Sequence, residues 1–571
     1  MTILLDLAVP RTLDALVERF GGWRHRGLQV EAWLFEGPAA RRAAEARLAS
    51  AGVIARLRSA YKPLIHHFIE EMPAAEGPLT IELPAHEAAP AGRFRLEAYP
   101  LAALTGSAGL AFVPGSEALS YRVRRGEGAW VSVFAPNRLG ADHLGNSTLT
   151  PCGWLRVRDA AGAIVEDAPL ETEYEAVFHR VMAAIAEHRW PAKPPFFTAL
   201  DISATLPGIE TELAYGDEVL STSEALHEEF YFSILEYLKH RAGLAAGERT
   251  LQPGQIVPDI VTVDGPAGVT VTVRDSVDRR PLPGPERLED ADRPLAPAQI
   301  ASLTDALGGE RRDVVSIQRR SVLARIYDGD GPPFLLSAAQ HANETSGIVG
   351  ALRAAQRLRA ENQRFALIPC ENPDGYALHH QLRARNPRHM HHAARYSAFG
   401  DDVEARDAAP LHEKAARLDL IEAIGARLHL NLHGYPAHEW TRPLTGYIPT
   451  GFALWTIPKG MFLIFRHQPG LGDKARPFLD ALTGHLAEDR ELAAFNATQL
   501  ATWKAHAGEV PFPVINGIPC MIGEHTRQTV PFQLITEYPD ETIYGDAFRL
   551  AHTTQMRATL GAVRLLREGY L

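Results

Sequence analysis

Short apolar runs separated by helical stretches dominate the chain after residue 300. Four of them are PFLLSAA, RFALIPC, LHLNL and FQLIT. Continuous apolar runs of this length are typical of strands buried in a largely parallel sheet. Between the first two runs, Ile348, Leu352 and Ala355 recur at helical spacing, and a long helix is predicted from about Asp546 to Arg567. This alternation predicts an α/β domain over residues 300–571.

The preceding residues predict three other units. Residues 1–75 alternate strand signals (TILLDLAVP, LQVEAWLFE) with helix signals, which predicts a small α+β domain. Residues 76–200 contain the alternating runs FRLEAY, YRVRR and WVSVF, which predict a β-rich module whose terminal helix begins at a Thr172–Glu175 capping box. Residues 201–299 predict a helical connector that starts at Ser221, followed by a linker rich in proline and glycine from about residue 250.

Composition narrows the class of protein. The 571 residues carry a formal net charge of −11, which argues against general nucleic-acid binding. No uninterrupted apolar run reaches the ~18 residues of a membrane span. The three cysteines form no CxxC pair, which favours a reducing compartment. We expect a cytoplasmic protein that binds neither nucleic acid nor a membrane, while a homo-oligomer stays an open alternative.

Polar residues follow each of the four predicted strands at its carboxyl end. The four clusters are His341-Ala-Asn-Glu344, Glu371-Asn-Pro-Asp-Gly375, His433-Gly-Tyr435 and Glu537-Tyr-Pro-Asp540. In open α/β sheets, ligands bind outside the carboxyl ends of the strands. The clusters therefore predict the rim of an active site.

The first and third clusters have the chemistry of metal ligands. His341 and Glu344 are three residues apart at a turn, and His433 would approach from a neighbouring strand. Two imidazoles and one carboxylate suit Zn²⁺ and leave a coordination position open for water, although iron, cobalt and nickel accept the same ligands. Glu537 would then be the general base that takes a proton from that water.

The order HANE, NPDG, LHLNLHG and LITEYPDE resembles the zinc carboxypeptidase family, which includes amidohydrolase and deacylase relatives. The resemblance covers about half of the chain, residues 300–571. It implies a three-layer α/β/α domain with a mixed, mostly parallel sheet, one Zn²⁺ per chain and hydrolysis of an amide bond. His341, Glu344 and His433 match the family's zinc ligands, and Glu537 matches its catalytic glutamate.

The stretch after NPDG is rich in arginine and histidine. In the family, this segment supplies an arginine that stabilises the oxyanion, and spacing does not choose between the arginines present here. Arg383, Arg385 and Arg388 are all candidates within a stretch that extends to Arg395, and Arg383 and Arg388 are assigned the catalytic role. The residues expected to contact substrate are Arg385, Arg395, Asn372, Glu404 and Tyr435. The five histidines at 379, 380, 389, 391 and 392 are interpreted as a solvated loop with one or two substrate contacts, a second metal site being the alternative.

The chain departs from the family at the residues that bind a substrate's terminal carboxylate. Where carboxypeptidases carry an Asn-Arg pair, this sequence has Gly400-Asp-Asp-Val-Glu404-Ala-Arg406. An acidic string binds a carboxylate poorly, because like charges repel. The function expected is a zinc-dependent, carboxypeptidase-like hydrolase of a peptide or small-molecule amide. The alternatives are an amidase or deacylase of a small N-acyl amino acid and a catalytically inactive scaffold.

One further stretch resembles a zinc-binding motif in part. His227-Glu228-Glu229 begins like the zinc motif HExxH, but position 231 is tyrosine. We therefore expect a polar stripe on an amphipathic helix.

Overall fold

The structure is a computed structural model that describes residues 1–72, 77–89, 92–106, 109–116, 119–141, 145–245, 248–285, 287–438, 457–526 and 529–571. The strands before residue 280 are β1 Thr2–Val9, β2 Gln29–Leu34, β3 Ile54–Ser59, β4 Leu79–Leu83, β5 Leu110–Pro114, β6 Ser120–Arg125, β7 Val131–Phe134, β8 Asn137–Ala141, β9 Ser147–Pro151, β10 Gly153–Arg158, β11 Ile164–Leu170, β12 Ala199–Leu206, β13 Glu210–Glu212, β14 Val219–Ser221, β15 Gln255–Thr262 and β16 Ala267–Arg274. The helices there are α1 Thr12–Phe20, α2 Pro38–Ser50, α3 Pro63–His66, α4 Arg93–Glu97, α5 Leu101–Thr105, α6 Glu173–Glu187 and α7 Thr222–Arg241.

Strand pairing in this first half joins segments that are far apart in sequence. One sheet has the order β1-β16-β12-β15, so the strand at residues 2–9 pairs with the strand at residues 267–274. A second sheet has the order β11-β10-β2-β3, and a third has the order β5-β4-β6-β7. The division into domains at residues 75 and 200 stays a prediction, and the first two sheets cross it.

Two expectations in this half are wrong. FRLEAY lies mostly in helix α4 rather than in a strand, because Arg93 and Glu97 form a buried ion pair of 2.9 Å at the i,i+4 spacing that only a helix provides. The stretch after residue 250 is not a linker throughout. It contains β15, which is an edge strand of the first sheet and pairs with β12, and β16, which lies between β1 and β12.

The two predicted helix starts are confirmed. The Thr172 side chain accepts a hydrogen bond from the Glu175 backbone, and the Glu175 carboxylate accepts one from the Thr172 backbone. Ser221 accepts from the backbone N–H of Glu224 at 3.0 Å. The Glu224 carboxylate does not return to the helix start and instead contacts the second half of the chain.

The second half alternates helices and strands as the apolar runs predict. Its helices are α8 Pro297–Leu307, α9 Ser346–Ala360, α10 Pro373–Arg383, α11 Glu413–Ile424, α12 Ala475–Ala487, α13 Arg490–Ala507 and α14 Gly545–Arg567. Its strands are β17 Glu310–Arg311, β18 Val314–Val315, β19 Ser321–Val322, β20 Arg325–Tyr327, β21 Asp330–Ala338, β22 Gln363–Ile368, β23 Leu428–Pro436, β24 Phe462–His467, β25 Val514–Ile515, β26 Ile518–Glu524 and β27 Phe532–Glu541.

One large mixed sheet organises this half. Its order is β17-β20-β22-β21-β23-β27-β24-β26-β25. The four strands predicted from the apolar runs are neighbours in it, and β22, β21, β23 and β27 run parallel. Their carboxyl ends therefore lie along one edge, as the polar clusters predict. The mixed α/β class is confirmed.

Alternate side chains of these strands enter different cores. Phe334 and Leu336 of β21 pack with α9, α12 and α14, whereas Leu335 packs with Leu420 of α11. Helices thus cover both faces of the sheet, because successive side chains in a strand point to opposite faces. Among the described residues, no helix combines the length and hydrophobicity needed to cross a lipid bilayer.

Candidate metal centre and active site

His341, Glu344 and His433 meet at the carboxyl ends of β21 and β23. The two Nδ1 atoms of the histidines lie 3.1 Å apart. Glu344 offers Oε1 to His341 Nδ1 at 2.8 Å and Oε2 to His433 Nδ1 at 2.9 Å. All three residues are buried. Within the part of the chain that the structure describes, they form the only group of three or more histidine, cysteine, aspartate or glutamate side chains that could bind one metal ion together.

The size of this cluster fits zinc. With bonds of about 2.0–2.1 Å, two ligand atoms of a tetrahedral Zn²⁺ lie about 3.3 Å apart. The three separations of 2.8–3.1 Å are slightly shorter than that. The donor set of two imidazoles and one carboxylate is also one that zinc accepts. A single ion could therefore be bound with small side-chain movements.

Further contacts hold the three side chains in place. The Nε2 atom of His341 lies 3.6 Å from Asp402, and a carboxylate behind a ligating histidine fixes the ring and its tautomer. The carbonyl oxygen of His433 accepts a hydrogen bond from Gln555 of α14 at 2.8 Å. The Oε2 atom of Glu344 also accepts from the backbone N–H of Gly434 at 3.0 Å. These contacts pre-form the cluster.

In this cluster, neighbouring charges and burial shift the pKa values of the side chains in opposite directions. Burial disfavours an ionised Glu344, but His341, Arg395 and His433 outweigh this and hold the pKa of Glu344 well below its ordinary value. Burial and Arg395 disfavour a charged His341, yet Glu344 and Asp402 raise the pKa of His341 to about 9. Burial lowers the pKa of His433 despite Glu344. One proton therefore stays on this group at neutral pH, at the place a cation would take.

Glu537 lies beside His433 on the same face of the sheet. The two residues are Cα partners in the β23–β27 ladder, and Phe462 of β24 is the partner of Glu537 on its other side. Burial and the charge of Glu344 raise the pKa of Glu537 to about 8, while Arg395, His341 and Lys459 act in the opposite direction. A carboxyl group with a pKa near neutrality is suited to proton transfer.

Arg395 is the arginine that contacts the His–Glu–His cluster. Its Nη1 atom lies 2.6 Å from Glu344 Oε1, and its side chain is 21% exposed. Arg388 instead pairs with Glu212 and Asp217, and Arg385 pairs with Asp259.

Arg383 is buried at the end of α10. Burial is the main cause that lowers the pKa of His379 and of His380, and the positive charge of Arg383 lowers both further. Among the described residues, Arg383, Arg385 and Arg388 make no hydrogen bond or ion pair with the His–Glu–His cluster. The arginine next to the cluster is therefore Arg395, which the sequence analysis assigned to substrate binding.

The other residues expected to bind substrate have internal partners. Asn372 caps α10 by accepting from Gly375 at 2.9 Å, and its amide donates to the carbonyl of Tyr396 at 3.0 Å. Glu404 forms an ion pair of 2.5 Å with Arg417. The Tyr435 hydroxyl donates to the carbonyl of Gly460 at 2.5 Å and accepts from the backbone N–H of Lys459 at 3.1 Å.

The histidine-rich stretch is buried rather than solvated, so that expectation is wrong. Each of its five histidines is at most 8% exposed. Helix α7, which is buried along nearly its whole length and is not amphipathic, covers His391 and His392, while His380 contacts Leu282 and Leu295. Glu224 of α7 accepts from Met390 N–H at 2.7 Å and pairs with His438 at 2.8 Å. The first half of the chain therefore forms a wall next to the site.

Sequence reasoning missed several residues of this site. Asp402 carried a usable signal, since it lies in the acidic string that replaces the Asn-Arg pair. Gln555 and Lys459 carried none, because they come from α14 and from the segment before β24, far from the four motifs. Only the fold shows that they are close to the cluster.

No family model and no curated protein matched the chain. Solved structures with some likeness include a metallo-carboxypeptidase from Burkholderia cenocepacia, with 13% identity, 53% of this chain and 76% of that chain covered, and a TM-score of 0.27. A metallo-carboxypeptidase from Pseudomonas aeruginosa has 16% identity, covers 54% and 76%, and has a TM-score of 0.29. Carboxypeptidase A from Helicoverpa armigera has 10% identity, covers 59% and 95%, and has a TM-score of 0.31.

Proposed function

We propose that this chain is a metal-dependent hydrolase of amide or peptide bonds, with one Zn²⁺ held by His341, Glu344 and His433. The observation that supports it is the buried His–Glu–His cluster with Glu537 as the ladder partner of one of its histidines. Zinc, when bound, lowers the pKa of a water to about 7 and polarises a carbonyl. We further propose that residues 300–571 are the catalytic domain.

Two side chains would assist the reaction, one by transferring a proton and the other by stabilising the negative charge of the oxyanion. Glu537 accepts a proton from the attacking water and returns it to the leaving amine, which requires a carboxyl that changes protonation near neutral pH. Arg395 presents a fixed positive charge where the oxyanion develops, next to Glu344. Both side chains are only partly exposed, so water screens these interactions less than it would at the surface.

A second candidate is an amidase or deacylase acting on a small N-acyl amino acid. Glu404, which stands where carboxypeptidases carry an asparagine, is bound to Arg417, and Arg406 is held by Asp401 and Glu413 at 2.7 and 2.6 Å. Neither residue is free to bind the terminal carboxylate as an Asn-Arg pair does. This difference favours a substrate other than an ordinary peptide C-terminus.

The first test measures metal content and hydrolysis together. About one zinc per chain is expected in the wild type and none in His341→Ala, because removing one of three protein ligands weakens a catalytic site strongly. Hippuryl peptides and N-acetyl amino acids are then assayed. Glu537→Gln should keep the zinc and lose about 10²–10⁴-fold in kcat. A wild type that takes up no metal at neutral pH would overturn the proposal and favour an inactive scaffold.

A further inference from the structure

Lys459 is a buried cation beside the general base. It precedes β24 and is 8% exposed. Its Nζ atom lies over three aromatic rings, 4.1 Å from the centroid of Phe462, 4.8 Å from that of Tyr435 and 5.2 Å from that of Trp503. Phe462 is the ladder partner of Glu537, and Tyr435 is two residues beyond His433. The ammonium group thus lies beside the pair of strands that carries Glu537, close enough for the charge of Glu537 to act on it.

The ammonium group has no close anionic partner in the protein. Among the described residues, its Nζ makes no hydrogen bond or ion pair, and the charge that acts on it is that of Glu537. Burial lowers the pKa of Lys459 to about 8, which leaves most of the group charged at neutral pH. The Nε1–H of Trp503, in one of the three rings, is also buried without a partner in the described part of the chain. Unpaired buried donors are costly unless something completes them.

The arginines of the His–Glu–His cluster and of the acidic string already have carboxylate partners. Arg395 pairs with Glu344, Arg406 with Asp401 and Glu413, and Arg417 with Glu404. A bound carboxylate would receive a charge-assisted hydrogen bond from Lys459 without displacing an existing ion pair, and such bonds are the strong ones.

We propose that Lys459 binds a carboxylate of the substrate, so that the amides this enzyme hydrolyses are anionic. This inference rests on the proposed function. It assigns the anion-binding role to the segment before β24, in place of the acidic string at 400–406. The three rings hold the ammonium group by cation–π contact, which limits the ordering that substrate binding requires.

The kinetic test uses substrate pairs that differ only in charge. Hippuryl-phenylalanine is compared with hippuryl-phenylalaninamide, and N-acetylmethionine with its amide. The wild type should prefer the carboxylate member by about 10-fold or more in kcat/KM, as a charge-assisted hydrogen bond implies. Lys459→Met should remove that preference through KM, Lys459→Arg should retain most of it, and Lys504→Met, which changes an exposed lysine, should leave it unchanged. Equal kcat/KM values for both members in the wild type would overturn the inference.

A second measurement does not depend on turnover. The zinc-loaded protein is acetylated with isotopically labelled acetic anhydride, and modification of Lys459 is quantified by mass spectrometry. N-acetylglycine should slow the labelling of Lys459, whereas N-acetylglycinamide should not, and Lys504 should be unaffected by either. Protection by the carboxylate in a protein that hydrolyses no amide would reject the proposed function but keep the anion site. Equal labelling with both compounds would reject the anion site.

Discussion

Glu344 is the residue on which the electrostatics of the site converge. One carboxylate oxygen accepts hydrogen bonds from His341 and Arg395, and the other accepts them from His433 and the backbone N–H of Gly434. A buried carboxylate with four donors is stable only as the anion. Any substitution that removes this charge would therefore release two histidines and an arginine at once.

Substitutions of Arg395 and Arg388 test which arginine stabilises the oxyanion. Arg395→Ala should lower kcat about 10²–10³-fold if its charge stabilises the oxyanion. Arg388→Ala should change kcat little, because that side chain pairs with Glu212 and Asp217 instead. Steady-state kinetics on a hydrolysed amide measure both. A loss that follows Arg388 and spares Arg395 would restore the assignment made from the sequence.

The affinity for zinc should depend on pH through His341. Without metal, its pKa is raised to about 9 and the ring is protonated at neutral pH, so Nδ1 must lose a proton before it can bind a cation. Affinity should therefore rise about tenfold per pH unit and level off near pH 9. Competition with a chromophoric chelator between about pH 6.5 and 9.5 measures this.

Asp402→Asn provides the control for that titration. The variant removes one of the carboxylates that raise the pKa of His341, so the plateau should begin at a lower pH. An affinity that does not change with pH would contradict the assignment of His341 as the ligand that must lose a proton.

At the scale of elements, the helix caps hold the site residues in position. Asn372→Ala removes both the cap of α10 and the hydrogen bond to Tyr396, and should lower the free energy of unfolding by about 1–2 kcal/mol. Thr172→Ala at the start of α6 is a matched control, with a cost of about 1 kcal/mol. Urea denaturation measures both. If Asn372→Ala raised KM with unchanged stability, Asn372 would contact substrate as the sequence suggested.

Some elements of the site could be predicted from the sequence, and others could not. The strands that carry His341, His433 and Glu537 were predictable, because each is a continuous apolar run followed by polar residues. The buried state of α7 was not predictable, since its polar residues give it the composition of a surface helix and only partners such as His438 and Met390 explain its burial. Lys459 was invisible for a related reason, because its three aromatic neighbours come from different elements.

At the scale of the whole molecule, the two halves share a hydrophobic core. Leu378, Leu382, Ala393 and Ala394 of the second half belong to the cluster built mainly from residues before 274. The halves should therefore unfold as one unit. Zinc at about 100 times its dissociation constant should add about 2.7 kcal/mol to the stability of both.

Hydrogen exchange tests this coupling. The slowest amides of β12 in the first half and of β23 in the second should gain the same protection when zinc is added, although of these two strands only β23 carries a proposed ligand. Protection confined to β23 would show that the first half unfolds independently.

The pairing of β1 with β16 has a consequence for synthesis on the ribosome. At about 5–20 residues per second, β16 emerges roughly 13–50 s after β1, and in that interval the apolar strand TILLDLAV lacks its native partner strand. Asp6 interrupts this run and bonds to Thr270 at 3.2 Å in the finished sheet. A charge within an apolar strand discourages association with other chains. Asp6 would thus protect the nascent chain until its partner strand arrives.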